Sequence, residues 1–309
     1  MSRIRRIRRK KPRTGSVWKK LLLWGVLGLL VLAAAAVAGS YLYVRAYLKS
    51  DGFLAMLEQS AVDDMNVETA RIDPLDWDGS GIRCGGVVME GHEFLTSLQA
   101  RNIETEFSRW ELLKRAFVIT SVNIAELKLH LAPVSFRFRE KPEGPRSWAE
   151  ENILPDTFRL EKGSIDSLSV SYGEAGRLYV LDGARVESAY DAGSSQYRFD
   201  VRGGKLLLPF QGCPEFSLMS GTAQFNHSSR RVNIPSCRLT TDAGGYLDIK
   251  GDWDGSSSSW TANVVVNGVP VSSILEDHWR KHVHGSVSGG IDLRGGRDGV
   301  THLYTSDAA

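Results

Sequence analysis

The chain has 309 residues, of which 38 are Lys or Arg and 36 are Asp or Glu, and its formal charge of +2 averages two unlike parts. Residues 1–50 hold 12 cations and no acid, which leaves 26 cations against all 36 acids in residues 51–309, a net charge of about −10. That balance excludes a broadly cationic body that binds polyanions, while about 260 residues beyond the basic segment suffice for one large or two ordinary domains.

The first 20 residues carry ten Lys or Arg, and the next 24, Leu21–Val44, carry no charge. At about 1.5 Å per residue that run makes roughly 36 Å of helix, against a hydrocarbon core of about 30 Å, so it predicts one transmembrane helix. The cations before it outweigh Arg45 and Lys49 after it, which predicts a cytoplasmic N-terminus and a signal-anchor topology. Trp18 and Trp24 at one end, with Tyr41, Tyr43 and Tyr47 at the other, fit interfacial belts. A cleaved signal peptide is the competing reading, with Ala36-Val37-Ala38 as its processing site, but the apolar run continues past that site. Nucleic-acid binding by the basic arm is set aside, because a basic run beside an apolar span is usually topogenic.

After the span, Ala46–Ser60 places Phe53, Leu54, Met56 and Leu57 at helical spacing and predicts a short amphipathic helix. From Val67 period two dominates. Val67–Ile72, Gly81–Glu90, Leu98–Phe107 and Val118–Leu131 are predicted strands, with a short helix over Ser108–Arg115 between the last two. Residues 141–156, with Pro142, Gly144, Pro145 and Pro155, form the predicted linker between β-rich regions at 45–140 and 157–309.

In the second region Leu168 alternates with Val170, Tyr197 with Phe199 and Val201, Leu206 with Leu208 and Phe210, and Val264 with Val266. Turns at Ala192-Gly193-Ser194, Asn226-His227-Ser228 and Asp254-Gly255-Ser256 separate such strands and predict an antiparallel meander with one apolar face. Toward the end, strand Thr261–Gly268, helix Ser272–His282 and strand Val283–Leu293 repeat the order of Leu98–Leu131 without shared sequence. Leu303–Ala309 resembles translated sequencing-adapter read-through, and the expectation is a C-terminally truncated fragment.

No credible catalytic constellation emerges, and a non-enzymatic protein without cofactor is expected. His278 and His282 lie one helical turn apart with His284 nearby, but no Glu follows His278 as a zinc-protease helix needs, so a polar helix face is preferred. Asp73, Asp76 and Asp78 lack the Gly and terminal Glu of an EF-hand and read as a polar turn. Cys84, Cys213 and Cys237 match no metal spacing. Cys213 and Cys237 are candidates for a bridge in an oxidising compartment, and three unpaired thiols are the other reading.

Three stretches, Asn66–Ile72, Leu98–Phe107 with Ser121–Leu131, and Gly285–Gly295 after a helix, together with the anchor, make the chain similar to the AsmA-like family of bacterial envelope proteins. The resemblance covers most of residues 20–296 and rests on strand and Gly patterns. It implies an inner-membrane anchor, a periplasmic bulk, an elongated curved antiparallel sheet forming an open β-groove, and a role in lipid transport and outer-membrane biogenesis within the cell envelope. The implied partners are phospholipid acyl chains, the inner membrane and other envelope proteins.

An apolar sheet face has its own rationale as a groove, since each buried CH₂ gains about 0.8 kcal/mol. The groove candidates are Leu168, Val170, Tyr197, Phe199, Val201, Leu206, Leu208, Phe210, Val264 and Val266. An ordinary sandwich core is the other use of such faces. The second functional expectation is a non-catalytic envelope assembly or scaffold protein that recruits partners through its sheet edges.

Overall fold

A computed structural model describes residues 46, 50–65, 67–77, 81–91, 94–108, 116–133, 157–174, 176–209, 215–226, 228–273, 282–296 and 299–306. The chain divides into two compact units, residues 1–47 and 48–309, and the architecture below belongs to the second.

Helix α1 (Asp51–Met65) opens this unit. Ser50 caps it, its Oγ accepting the Phe53 N–H at 3.3 Å, as expected of a small hydroxyl residue before a helix. Leu54 is buried, and Phe53 and Leu57 pack beside it, whereas Met56 is 50% exposed and leaves the apolar stripe read from the sequence.

The strands that follow are β1 (Thr69–Ile72), β2 (Leu75–Trp77), β3 (Gly81–Glu90), β4 (Leu95–Phe107) and β5 (Ala116–Leu131). Beyond residues 134–156 come β6 (Thr157–Leu160), β7 (Lys162–Glu174), β8 (Arg177–Asp191), β9 (Gln196–Arg202) and β10 (Lys205–Leu207). The last are β11 (Phe216–Asn226), β12 (Arg231–Thr241), β13 (Tyr246–Asp254), β14 (Ser259–Pro270), β15 (Ser286–Gly296) and β16 (Gly299–Ser306). All 16 belong to one sheet, in the order β1-β3-β4-β5-β7-β8-β10-β11-β12-β13-β14-β15-β16, with β2 on β3, β6 on β5, and β9 between β8 and β11.

The expected fold class needs two corrections. The sheet is mixed, because β5 runs parallel to both β6 and β7, pairing Ala116 with Thr157 and Leu127 with Leu168. A parallel neighbour needs a long return crossing, and residues 132–156 supply it, whereas the tight turns between strands such as β8 and β9 or β13 and β14 permit only antiparallel pairs. The predicted transmembrane helix over 21–44 lies outside the described residues, and among the described residues no helix is long and apolar enough to cross a membrane. With its 15 residues α1 reaches only about 22 Å. The supported class is therefore a mainly β fold with one short helix. The helix predicted over Ser108–Arg115 falls almost wholly outside the described residues, as does most of that over Ser272–His282, whose first residues form a 3-10 turn, Val271–Ser273.

Directly paired residues share a sheet face, so register separates the two faces. One apolar row runs Ile72, Val87, Ala100, Leu127 and Leu168 across β1, β3, β4, β5 and β7. Another joins Leu218, Leu239, Leu247 and Val266 across β11 to β14. A row on the opposite face reads Arg83, Glu104, Asn123, Ser164, Glu187 and Asp200. The second apolar cluster centres on Leu239 and Phe216, 3% and 4% exposed, yet no large side chain among the described residues falls below 2%.

Three hairpins at one end of the strands repeat one device. Asp191, Asn226 and Asp254 each accept a backbone N–H two or three residues ahead, from Gly193, Ser229 and Ser256, each at 2.9 Å. Each turn then ends on a residue with positive φ, Ser195 at 53°, Arg230 at 52° and Ser258 at 53°. Short polar side chains that hydrogen-bond their own backbone explain why Asp and Asn open these turns.

Candidate functional site

The first edge of the sheet is built from β1 and β2 on β3, interrupted at Asp73-Pro74. Ile72 pairs with Val87, but its N–H points away from that ladder and donates to Glu58 Oε1 of α1 at 3.0 Å. A side chain therefore occupies the position where a further strand would offer a carbonyl. Beneath it, Leu54, Leu75 and Cys84 form a small buried cluster with Ile72, Ile82, Val87 and Ile103 around it. The Cys84 thiol donates toward Gly86 O at 3.2 Å, and burial, more than any other influence, pushes its pKa up, so it behaves as a small core group.

Nine of the ten groove candidates are described, and Phe210 lies outside the described residues. Val201, Leu206 and Leu208 come together around Phe216, Leu218 and Leu239. Leu168 faces Leu127 and Ala184, while Val170 faces Leu129 and Leu181. Tyr197 and Phe199 stack with centroids 6.4 Å apart, and Tyr190 lies 4.9 Å from Tyr197 on the neighbouring strand. Val264 sits between Ile249 and Ile291, and Val266 between Leu247 and Gly289. All nine are half-buried.

Two concavities formed by described residues are lined chiefly from the polar face instead. The larger, about 510 Å³, lies beside the three hairpins across the ends of β9 and β11–β14. Its polar lining forms two rows set by register. Gln224, Asn233, Asp252 and Thr261 make the first, and Gln196, Asn226, Arg231, Asp254 and Ser259 the second. Asn233 Nδ2 donates to Asp252 Oδ1 at 2.6 Å, and Arg231 Nε to Asp254 Oδ2 at 3.0 Å. Hydrogen bonds from the Ser256 hydroxyl and amide, then from Arg231 and Ser257, lower the Asp254 pKa to about 2. The smaller concavity, about 390 Å³, is lined by Asn123, Ser164, Glu187 and Asp200 among others.

Elsewhere the polar face is a lattice of ion pairs, including Arg101–Glu126 at 3.2 Å, Arg238–Asp248 at 2.7 Å and Arg198–Asp200 at 3.0 Å. These pairs are exposed and contribute little stability each, but they keep that face wet. The other chemical candidates disperse. His282 and His284 are exposed, His278 and Asp78 lie outside the described residues, and no cluster among the described residues has the make-up of a metal site. Asp73 folds against Gly85 and Gly86, where a Cβ would meet its carboxylate at 2.9 and 3.0 Å. Cys84 and Cys237 are free thiols, and Cys213 lies outside the described residues. Neither the edge contact of Glu58 nor the polar concavity was read from the sequence; the repeated Asp or Asn opening each hairpin was the only local signal near the latter.

No family model, no curated protein and no solved structure matches the chain. The resemblance to the AsmA-like family is therefore withdrawn, since alternating strands and paired glycines are common to any large amphipathic sheet. The inner-membrane and periplasmic placement, the phospholipid and inner-membrane partners, and the outer-membrane role rested on that resemblance and on a helix that lies outside the described residues. With no membrane-crossing helix among the described residues and no matching protein to support a lipid role, those assignments are corrected as unsupported. What stands is a mixed, open sheet with one helix against its first edge.

Proposed function

We propose that the chain is a non-catalytic scaffold or assembly protein that recruits partner proteins by strand addition at a sheet edge. The observation that supports this reading is the outward N–H of Ile72, met by the Glu58 carboxylate rather than by a strand. An edge whose backbone donor is held by a side chain of a neighbouring helix offers an extended partner a ready ladder once that side chain moves aside. From Thr69 to Trp77 the edge spans nine residues, of which Pro74 has no N–H and Asp73 gives its own to Gly86 O.

A displayed library of nine-residue peptides selected on the full chain tests this reading, followed by amide hydrogen exchange with each selected peptide. Selected peptides slow exchange over Thr69–Trp77, and Glu58→Ala strengthens their binding by removing the competing carboxylate. Peptides that bind without changing exchange there, or that bind Glu58→Ala no better, refute it.

A further inference from the structure

We infer that the concavity beside the three hairpins is a binding site for a neutral, polyhydroxylated ligand of the saccharide class. The volume, about 510 Å³, suits two or three sugar rings rather than an ion. Its lining carries one guanidinium, Arg231, and two carboxylates, Asp252 and Asp254, and Arg231 is already paired with Asp254. The remaining charge is a single carboxylate, too little for a polycation and of the wrong sign for a phosphate. The rest is amide and hydroxyl, with Val232, Trp253 and Trp260 as the apolar contribution.

Register makes this set into a grid. Gln224, Asn233, Asp252 and Thr261 stand on successive strands about 4.8 Å apart, and the Arg231 and Asp254 row lies two residues along, about 7 Å away. Asn233 gives one N–H to Asp252, which leaves its other N–H and its carbonyl, and Asp252 keeps a second oxygen. Paired donors and acceptors on planar groups match vicinal hydroxyls, each of which both donates and accepts. The strands hold the grid in place without ligand, so little ordering cost falls on binding. The site is independent of the strand-addition edge, which lies at β1.

Isothermal titration of the full chain with cellotetraose, chitotetraose and maltotetraose, each to about 10 mM or tenfold above a Kd of about 1 mM, tests the inference. At least one is expected to bind saturably and to slow amide exchange over residues 231–234 and 252–254. Asn233→Ala and Gln224→Ala should each weaken that binding by about tenfold, the loss of one or two hydrogen bonds to a positioned group. If either variant misfolds by circular dichroism, Thr261→Ala takes its place, and the exchange data on the unaltered chain decide by themselves. Silence with all three saccharides, binding of tetralysine in their place, or binding unchanged in the variants overturns the assignment.

Discussion

Two regions of this sheet treat their apolar face differently. Around β1–β4 helix α1 lies against it, and Leu54, Leu75 and Cys84 are buried beneath a helix whose Glu58 also closes the strand edge. Around β11–β14 the apolar residues lean on one another within the sheet, and Trp253 remains 44% exposed. The polar face shows the complementary difference, with a concavity beside the hairpins of β11–β14. Among the described residues, burial comes from neighbours in the sheet first and from an overlying element where the helix reaches.

The strongest way to sharpen that contrast is to empty each cluster in turn. Phe216→Ala and Leu239→Ala should cost about 3–5 and 2–4 kcal/mol by urea unfolding, with Leu54→Ala at about 2–3 kcal/mol because the helix can settle into the gap. Since residues 48–309 form one compact unit, all three should shift a single transition; separate transitions for Leu54→Ala and Leu239→Ala would break the picture of one cooperative sheet. Next in size is Glu58→Ala, expected to cost about 1 kcal/mol and to speed exchange of the Ile72 amide, and unchanged exchange would show that the carboxylate does not guard that edge. Trp253→Ala, on the uncovered stretch, should cost under about 1 kcal/mol despite its size, and a loss comparable with Phe216→Ala would mean that something covers it.

The smallest effect is a pH response at the β13–β14 hairpin. Asp254 has a folded-state pKa of about 2 against an ordinary 3.8, so its contribution is present above about pH 4 and is lost as pH falls toward 2. Amide exchange at Ser256 and Ser257, corrected for the intrinsic rate, should rise over that window and stay flat from pH 4 to 7. In Asp254→Asn the response should vanish while the turn persists, because an amide oxygen can accept the same N–H bonds, as Asn226 does in its own hairpin.

Much of the local structure was legible. The bounds Gly81–Glu90 follow from length and β-branched content, and the hairpins after Asp191, Asn226 and Asp254 follow from residues that bond their own backbone. Helix α1 was legible in kind but displaced, running Asp51–Met65 rather than Ala46–Ser60, because helical spacing marks a stripe and not its ends. Functional reading failed where pattern was taken for family. Leu206, Leu208 and Val201 do share a face, but a shared face is equally the core of a sheet, and alternation carries no information on what covers it.

By itself the sequence determined which segments are strands, which side chains share a face and where the turns fall, because those depend on residues a few positions apart. Only the tertiary structure decided that β5 and β7 pair in parallel across residues 132–156, that Glu58 meets the Ile72 amide 14 residues on, and that Gln224, Asn233, Asp252 and Thr261 stand in one row. Each of those is a choice of partner among many strands of similar pattern, set by register and chain crossing rather than by any local preference.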